Sequence, residues 1–363
     1  MPDRSQATLA DLRKQIDELD QQLLELISQR ARCAQVVAEI KRQNGDDVFY
    51  RPEREAQVLR QIMEQNNGPL DDEEIARLFR EIMSACLALE EPLTVAFLGP
   101  EGTFTQAASL KHFGNSAHTR PMAAIDEVFR EVLAGTANYG VVPIENSSEG
   151  VVNHTLDSFL DSSLSICGEV ELRIHHHFLV GPNTREDNIT RVYSHPQSLA
   201  QCRKWLDANF PNIERVPLSS NAEAARRVQE EWNSAAIAGE MAEKLYGLTK
   251  LRATIEDQPD NTTRFLVIGK EQVPPSGDDK TSIMVSVHNE PGALHSLLEP
   301  FRQHKVDLTR IETRPSRAGK WSYVFFIDFA GHQTDSNVAA TLEDVRNRVA
   351  ELRLLGSYPS AVL

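Results

Sequence analysis

The chain of 363 residues is poor in cysteine and has no long apolar run. Its four cysteines are scattered singly without a Cys-x-x-Cys pair, which argues against a disulfide framework and against a structural zinc site. No stretch approaches the ~20 apolar residues of a membrane-spanning helix. The polar amino-terminal segment shows no apolar signal-peptide core, so a cytoplasmic location is expected.

Positive charge is also in short supply. Lys and Arg number 38 against 53 Asp and Glu, a formal net charge of −15, which excludes the broad basic face that non-specific nucleic-acid binding needs. An acidic protein binds anions where Arg and Lys gather locally. The 40% apolar and 25% charged residues are the balance of a soluble globular protein. At roughly 100–200 residues per domain, the length suggests two to four domains.

Residues 1–92 have the pattern of an all-helical domain. Apolar residues recur every three or four positions over 8–43, which predicts one long amphipathic helix, and two more helical runs follow Pro52 and Asp71. The apolar stripe of the first helix is too long to bury on a monomer of this size. Pairing with a second copy of the chain is therefore expected.

The pattern changes after Pro92. Short apolar runs alternate with helical patterns over 93–271, which indicates an α/β domain with mostly parallel sheets. A polar linker with Pro and Gly follows at 272–280. The order β-α-β-β-α within 280–363 then predicts a small ferredoxin-like sandwich.

The long helix carries cations at a spacing that suits a dianion. Each residue of an α-helix turns by about 100°, so Lys41, eleven positions after Arg30, returns to within about 20° of the same face. Arg13, seventeen positions before Arg30, points about 100° away, which suits the site of a partner subunit. Spacing alone leaves open the alternative that these are ordinary solvated charges.

The segments LRKQIDELDQQLLELISQR, PERE and LFREIMSACLALE, with Lys41 between the first two, resemble the all-helical chorismate mutase domain. The resemblance implies an intertwined dimer of three-helix chains. It also implies a pericyclic rearrangement that needs neither a nucleophile nor a cofactor, only a clamp on two carboxylates and charge stabilisation at the breaking C–O bond. The substrate-contacting positions that it implies are Arg13 (donated by the other subunit), Arg30, Lys41, Arg51, Arg54, Glu55, Cys86 and Glu90.

Three of these positions depart from the family pattern. Arg51 and Cys86 stand where an acidic and a hydroxyl residue are usual, and Glu90 stands where glutamine is common. By the resemblance, Lys41 and Glu90 flank the ether oxygen and Glu55 accepts from the substrate hydroxyl. A carboxylate would repel an oxygen that gains negative charge, so we expect Glu90 to be protonated in the active enzyme.

Polar clusters lie next to predicted strands at four places in the middle of the chain. They are GPEGTFT from Gly99, PIENSSEG from Pro143, SHPQ from Ser194 and DNTTRF from Asp260. Because α/β sheets place their sites at strand ends, the last three clusters predict one common cleft, whereas GPEGTFT alone is typical of a tight turn.

The four motifs together resemble prephenate dehydratase over about 93–270. The resemblance implies two α/β lobes, like a type-2 periplasmic binding protein, with the active site between them. Loss of CO₂ and the ring hydroxyl, driven by aromatisation, needs a donor at the leaving hydroxyl and cations at the carboxylates. The resemblance makes Thr263 this donor and Arg264 the carboxylate anchor. The other residues expected to line the cleft are Glu145, Asn146, Ser194 and Gln201.

After the linker, NEPGAL from Asn289 and ETRP from Glu312 resemble the ACT domain, in particular its phenylalanine-inhibited kind, with Thr313 where serine is usual. The resemblance implies that L-phenylalanine binds between two such domains and inhibits by feedback. The expected effector-binding residues are Gly292, Ala293, Leu294, Glu312, Thr313, Arg314 and Pro315. The alternative is a module that only dimerises.

The three resemblances cover almost the whole chain. They imply an enzyme, at least dimeric and without cofactor or metal, that converts chorismate to prephenate and prephenate to phenylpyruvate. The adjacent residues His175–His177 point in different directions in any regular structure, so no metal site is expected there, and Cys202 is expected to be a buried thiol. Two alternatives remain open: a dehydratase whose helical region only dimerises, and a non-catalytic two-lobed amino-acid sensor.

Overall fold

The computed structural model describes residues 8–45, 48–287, 290–315 and 323–363. The chain begins with three helices, α1 (Leu9–Asn44), α2 (Pro52–Gln65) and α3 (Asp72–Glu90). Helix α1 starts at a capping box, in which the Thr8 hydroxyl accepts from the Asp11 N–H and the Asp11 carboxylate accepts from the Thr8 N–H. It ends at Gly45, whose φ of +72° terminates the helix. The long helix predicted over 8–43 is confirmed.

Helix α1 leaves most of its apolar side chains uncovered. Only Ala38 among its residues is buried. With 36 residues the helix is about 54 Å long, and its packing partner is α3. The exposed apolar residues are Leu9, Leu12, Ile16, Leu19, Leu23, Leu24, Leu26, Ile27, Val36, Val37 and Ile40. An apolar stripe of this length is typical of a surface that another chain covers.

The middle of the chain forms two lobes, each built on its own sheet. The strands of the first lobe are β1 (Thr94–Leu98), β2 (His118–Met122), β3 (Tyr139–Asn146), β4 (Gly150–Val151), β5 (Ser165–Arg173) and β11 (Thr262–Gly269). Its helices are α4 (Phe104–Phe113), α5 (Ile125–Ala134) and α6 (Asn153–Asp161). The sheet order is β2-β1-β3-β11-β5, with β4 beside β3.

The second lobe is inserted between β5 and β11. Its strands are β6 (His177–Val180), β7 (Arg191–Ser194), β8 (Glu214–Pro217), β9 (Ser234–Ala238) and β10 (Thr249–Arg252). Its helices are α7 (Pro196–Gln201), α8 (Arg203–Asn209), α9 (Asn221–Val228) and α10 (Glu240–Tyr246), with a 3₁₀ turn at Glu186–Asn188. The sheet order is β10-β6-β9-β7-β8.

The expectation of mostly parallel sheets is wrong. Strands β1, β2 and β3 pair in parallel, as do β7, β8 and β9, but β11 runs antiparallel to both β3 and β5. Likewise, β6 runs antiparallel to β9 and β10. The reason is the insertion: the chain leaves the first lobe after β5 and returns as β11 from the side of the second lobe, so it enters the first sheet in the opposite direction.

The last domain is a four-stranded antiparallel sheet with two helices. Its elements are β12 (Asp279–Ser286), α11 (Ala293–Gln303), β13 (Leu308–Pro315), β14 (Tyr323–Ala330), α12 (Ser336–Arg346) and β15 (Glu351–Pro359), with sheet order β13-β14-β12-β15. Strand β15 completes the sandwich and is missing from the predicted β-α-β-β-α order. The sequence GSYP within it is typical of a turn, whereas the strand is fixed by pairing with β12.

This last sheet is buried on both faces. One face packs on α11 and α12, and the other on the first lobe, where Phe326 and Tyr358 lie in one apolar cluster with Ile144 and Ile166. The contact is close at Gly356, because a Cβ there would lie 2.3 Å from the carbonyl oxygen of Ile166. The docked face of the sheet fixes the carboxyl-terminal domain against β3, β5 and β11.

Candidate active sites

Three helical cations surround the end of α3. Burial raises the pKa of the Glu90 carboxyl, and the positive charges of Lys41, Arg30 and Arg42 partly oppose that rise. Lys41 Nζ donates to the carbonyl oxygens of Val48 (3.2 Å) and Phe49 (3.1 Å), which fixes the ammonium beside the loop that follows α1. The Arg42 guanidinium donates to the Glu90 carbonyl oxygen.

Glu55 lies away from the cluster of Arg30, Lys41 and Glu90. Its carboxylate is bound to Arg80, with Nε 3.1 Å from Oε1, and Arg80 also donates to the Lys111 carbonyl oxygen of α4. Burial raises the pKa of Glu55. The structure therefore places Glu55 at the contact between the helical domain and the first lobe. A substrate hydroxyl that bound there would compete with Arg80 for the Glu55 carboxylate.

The remaining helical positions have different surroundings. Cys86 is buried on α3, Arg54 is exposed on α2, and Arg51 stands just before α2. Arg13 is exposed and lies about 26 Å from Arg30 along α1, at 1.5 Å per residue. Within one chain, Arg13 and Arg30 therefore do not reach a common small molecule.

A cleft of ≈ 340 Å³ separates the two lobes of the middle domain. The first lobe contributes the ends of β3 and β11, including Asn146 and Thr263, and the start of α4 at Thr103. The second lobe contributes the starts of α7 and α9 at His195 and Ser220. Among the described residues that line the cleft there is no Lys or Arg, so the expected gathering of cations is wrong for this site.

Thr263 and Asn146 are brought together as expected. They are register partners on neighbouring strands, and Asn146 Nδ2 lies 2.8 Å from Thr263 Oγ1. Asn146 Oδ1 accepts from the backbone N–H groups of Ser148 (3.0 Å) and Glu149 (3.1 Å), which fixes the amide with its nitrogen toward Thr263. The threonine oxygen therefore accepts from Asn146, and its own hydrogen is left to donate into the cleft.

Arg264 and Glu145 do not line the cleft, which corrects their expected roles. Arg264 donates to Glu169 (2.8 Å) and Asp328 (2.6 Å), and Glu145 pairs with Arg310 at 2.9 Å. The physical reason is the two-residue alternation of a strand, which turns neighbours of Asn146 and Thr263 to the opposite face of the sheet. That face is covered by the carboxyl-terminal domain.

Ser194 also lies behind the cleft rather than in it. Its buried hydroxyl is 2.8 Å from Asn221 Oδ1 and 2.7 Å from the Ile237 carbonyl oxygen. Asn221 itself lines the cleft, so Ser194 supports a neighbour that the sequence did not single out. Gln201 does line the cleft, as expected.

Several lining residues escaped the sequence analysis. They include Phe104, His176 and His195, together with Glu149, the one carboxylate among the described lining residues. His176 packs edge-on against Phe104, and burial lowers the pKa of both histidines, which keeps them neutral near pH 7. The motifs GPEGTFT, PIENSSEG and SHPQ already contained Phe104, Glu149 and His195, but their packing across the lobes gives no sequence signal.

The expected effector surface is divided between two faces. Gly292 and Leu294 at the start of α11 are exposed, as is Thr313 on the edge strand β13. Glu312 and Arg314 face the other way, and Arg314 makes two hydrogen bonds to Asp157 of α6, at 2.8 and 2.7 Å. Arg314 is therefore a contact between domains.

The three adjacent histidines have separate partners. His175 binds Glu256, His176 binds Gln201, and His177 accepts from the Thr254 N–H. In the described part of the chain, no group of three His, Cys, Asp or Glu side chains is placed to hold a metal ion. The Cys202 thiol is buried, which raises its pKa. Over the same described ranges, no helix has the length and apolarity to cross a membrane.

Comparison with known proteins identifies the class of each domain. Family models match residues 12–91 as chorismate mutase type II, residues 95–273 as prephenate dehydratase and residues 281–347 as an ACT domain. The solved prephenate dehydratase of Arthrobacter aurescens, in complex with L-Phe, is 36% identical, covers 74% of this chain and 90% of its own, and has a TM-score of 0.69. The fold is thus that of a prephenate dehydratase carrying a mutase domain and an ACT domain.

Two full-length relatives narrow this class. The bifunctional chorismate mutase/prephenate dehydratase of Pseudomonas aeruginosa is 67% identical over 100% of both chains. The enzyme of the same description from Neisseria gonorrhoeae is 49% identical over 97% of both chains. The chain belongs to the family of bifunctional chorismate mutase/prephenate dehydratases.

Proposed function

We propose that prephenate loses CO₂ and its ring hydroxyl in the cleft between the lobes, with Thr263 as the hydrogen-bond donor to the departing hydroxide. The supporting observation is the Thr263 hydroxyl, whose oxygen already accepts from Asn146 and whose hydrogen is free to point into the cleft. The ring C–COO⁻ bond breaks, its electron pair enters the ring, and the C–O bond breaks to release hydroxide. The donor stabilises negative charge that develops only in this step.

The carboxylates of prephenate are held by backbone and neutral groups rather than by cations. Helices α4 and α9 both begin at the cleft, with Thr103 and Ser220 as capping residues. The N-terminus of a helix favours an anion through its unpaired N–H groups and its dipole. The neutral donors Gln201 and Asn221 add hydrogen bonds without a fixed charge.

The helical domain rearranges chorismate to prephenate at the cluster of Arg30, Lys41 and Glu90. Lys41 and a protonated Glu90 donate to the ether oxygen as its bond to carbon breaks, while Arg30 holds a carboxylate. Arg13 completes the site from a second copy, because it lies about 26 Å from Arg30 on the same helix. The exposed stripe of α1 supports this arrangement, since pairing of two long helices would cover it.

L-phenylalanine binds at the free edge of the ACT domain, where Gly292, Leu294 and Thr313 are exposed, next to the same edge of a second copy. Strand β13 links this edge to the dehydratase domain. Its inward side chains Arg310 and Arg314 bind Glu145 and Asp157 of the first lobe. A ligand that prefers a different position of β13 therefore acts on the strand that carries Glu145.

The variant Thr263→Ala is expected to abolish phenylpyruvate formation, because the departing hydroxide loses its donor, while prephenate formation from chorismate continues. The measurement follows both products from chorismate. Thr262→Ala is the matched control, since this neighbouring hydroxyl contacts the Asp260 carbonyl oxygen instead of Asn146 and should retain activity. Unimpaired dehydration in Thr263→Ala would remove Thr263 from the mechanism.

Mutase activity is expected to fall as pH rises through the pKa of Glu90. The protonated form is the donor, and it is present below that pKa, which burial raises. Glu90→Gln donates at every pH and should flatten the profile, whereas Glu91→Gln, at the adjacent exposed carboxylate, should keep it. A profile that is the same with and without the Glu90 carboxyl contradicts the assignment.

Two inactive mutase variants are expected to restore activity when mixed. In a hybrid of Arg13→Ala and Arg30→Ala chains, one of the two sites receives an intact Arg13 and an intact Arg30. Refolding the mixture should recover at most about half of the activity per hybrid, measured as prephenate formation. Failure of the mixture, with hybrids demonstrated by mass, would place Arg13 and Arg30 in one chain's site or show that the helical domain only dimerises.

The variant Arg314→Gln is expected to weaken inhibition by L-phenylalanine about fivefold or more, because it removes the link from β13 to Asp157. Dehydratase activity without phenylalanine should persist, and calorimetry should still detect phenylalanine binding. Arg302→Gln is the matched control, since its ion pair with Glu299 stays within α11. Equal inhibition of both variants would exclude this link.

A further inference from the structure

A row of hydrogen-bonded side chains connects Thr263 to the second lobe. Asn146 Nδ2, which binds Thr263, also lies 2.8 Å from Asn261 Oδ1. On its other side, Asn261 Nδ2 lies 3.1 Å from Gln201 Oε1, which is also 2.9 Å from His176 Nε2. The row joins the end of β3 to helix α7 through the segment just before β11.

The direction of every hydrogen bond in the row is fixed from one end. Asn146 must donate to Asn261, because its oxygen already accepts from two backbone N–H groups. Asn261 therefore accepts through Oδ1 and donates through Nδ2. Gln201 must then accept through Oε1, from Asn261 and from the Nε2–H tautomer of His176. Turning any one amide would place two donors or two acceptors against each other.

These hydrogen-bond directions leave one nitrogen of Gln201 and one of His176 available to the substrate. Among the described residues, Gln201 Nε2 and His176 Nδ1 are buried and have no hydrogen-bond partner, and both residues line the cleft. Buried polar atoms are nearly always paired, so these two atoms are suited to a ligand. The cleft thus presents donors at Thr263 and Gln201.

We propose that Asn261 is a positioning residue of the dehydratase: its own amide is oriented by Asn146, and it holds Gln201 Oε1 so that the Gln201 amide hydrogens face the substrate. The inference rests on the proposed function of the cleft. Asn261 is 2% exposed and does not line the cleft, so it acts through its neighbours.

The test compares Asn261→Ala with the isosteric Asn261→Asp in the full-length enzyme. Asn261→Ala leaves Gln201 free to turn, and we expect kcat for prephenate to fall roughly tenfold to a hundredfold, more than KM rises. Asn261→Asp keeps an oxygen for Asn146 but sets a second oxygen against Gln201 Oε1, so its kcat should fall as in Asn261→Ala. The mutase activity of the same preparations reports that the chain is folded.

The outcomes separate this inference from the proposed function. Wild-type kcat in Asn261→Asp would overturn the inference, and a loss of mutase activity and Tm parallel to the loss of kcat would show a merely structural role and overturn it too. Wild-type kcat in Asn261→Ala beside an inactive Thr263→Ala would overturn the inference alone. Full dehydratase activity in both Asn261→Ala and Thr263→Ala would overturn the proposed function as well.

Discussion

The alternation of side chains along β3 and β11 governs the middle of this molecule. Two adjacent residues on each strand serve two different places: Asn146 and Thr263 face the cleft, while Glu145 and Arg264 face the ACT domain. A strand can do this because successive side chains point to opposite faces of a sheet. The Thr263 hydroxyl, which we propose as the donor, and the contact with the ACT domain are therefore separated by one peptide unit, and neither can shift without the other.

Charged side chains lie on the side of the sheet that faces the ACT domain. The ion pairs of Arg264 with Glu169 and Asp328 are buried between the domains, where removing one partner would leave an unpaired charge at a cost of about 3–5 kcal/mol. The cleft, by contrast, holds no Lys or Arg among its described lining residues. In a chain with a net charge of −15 these cations thus hold domains together, and we propose that the cleft binds the dianionic substrate with N–H and O–H groups.

The sequence predicts most of this architecture and part of its chemistry. Apolar periodicity predicts α1, and the polar motifs at strand ends correctly place Asn146 and Thr263 together. The sequence does not predict the roles of Arg264 and Glu145, because a motif does not show which face of the sheet each of its residues occupies. Nor does the sequence predict that Ser194 lies behind Asn221, because that contact depends on packing between distant segments.

The length of helix α1 sets the distance and the angle between the side chains along it. Each inserted residue would turn everything beyond it by about 100° and move it by about 1.5 Å. Between Arg13 and Arg30, a change of length by one or two residues would therefore turn one arginine away from the site that we propose for it. A change near a whole turn would preserve the direction of the side chain but alter its position along the helix. Variation among natural sequences should accordingly concentrate at the ends of this helix and spare its middle from insertions and deletions.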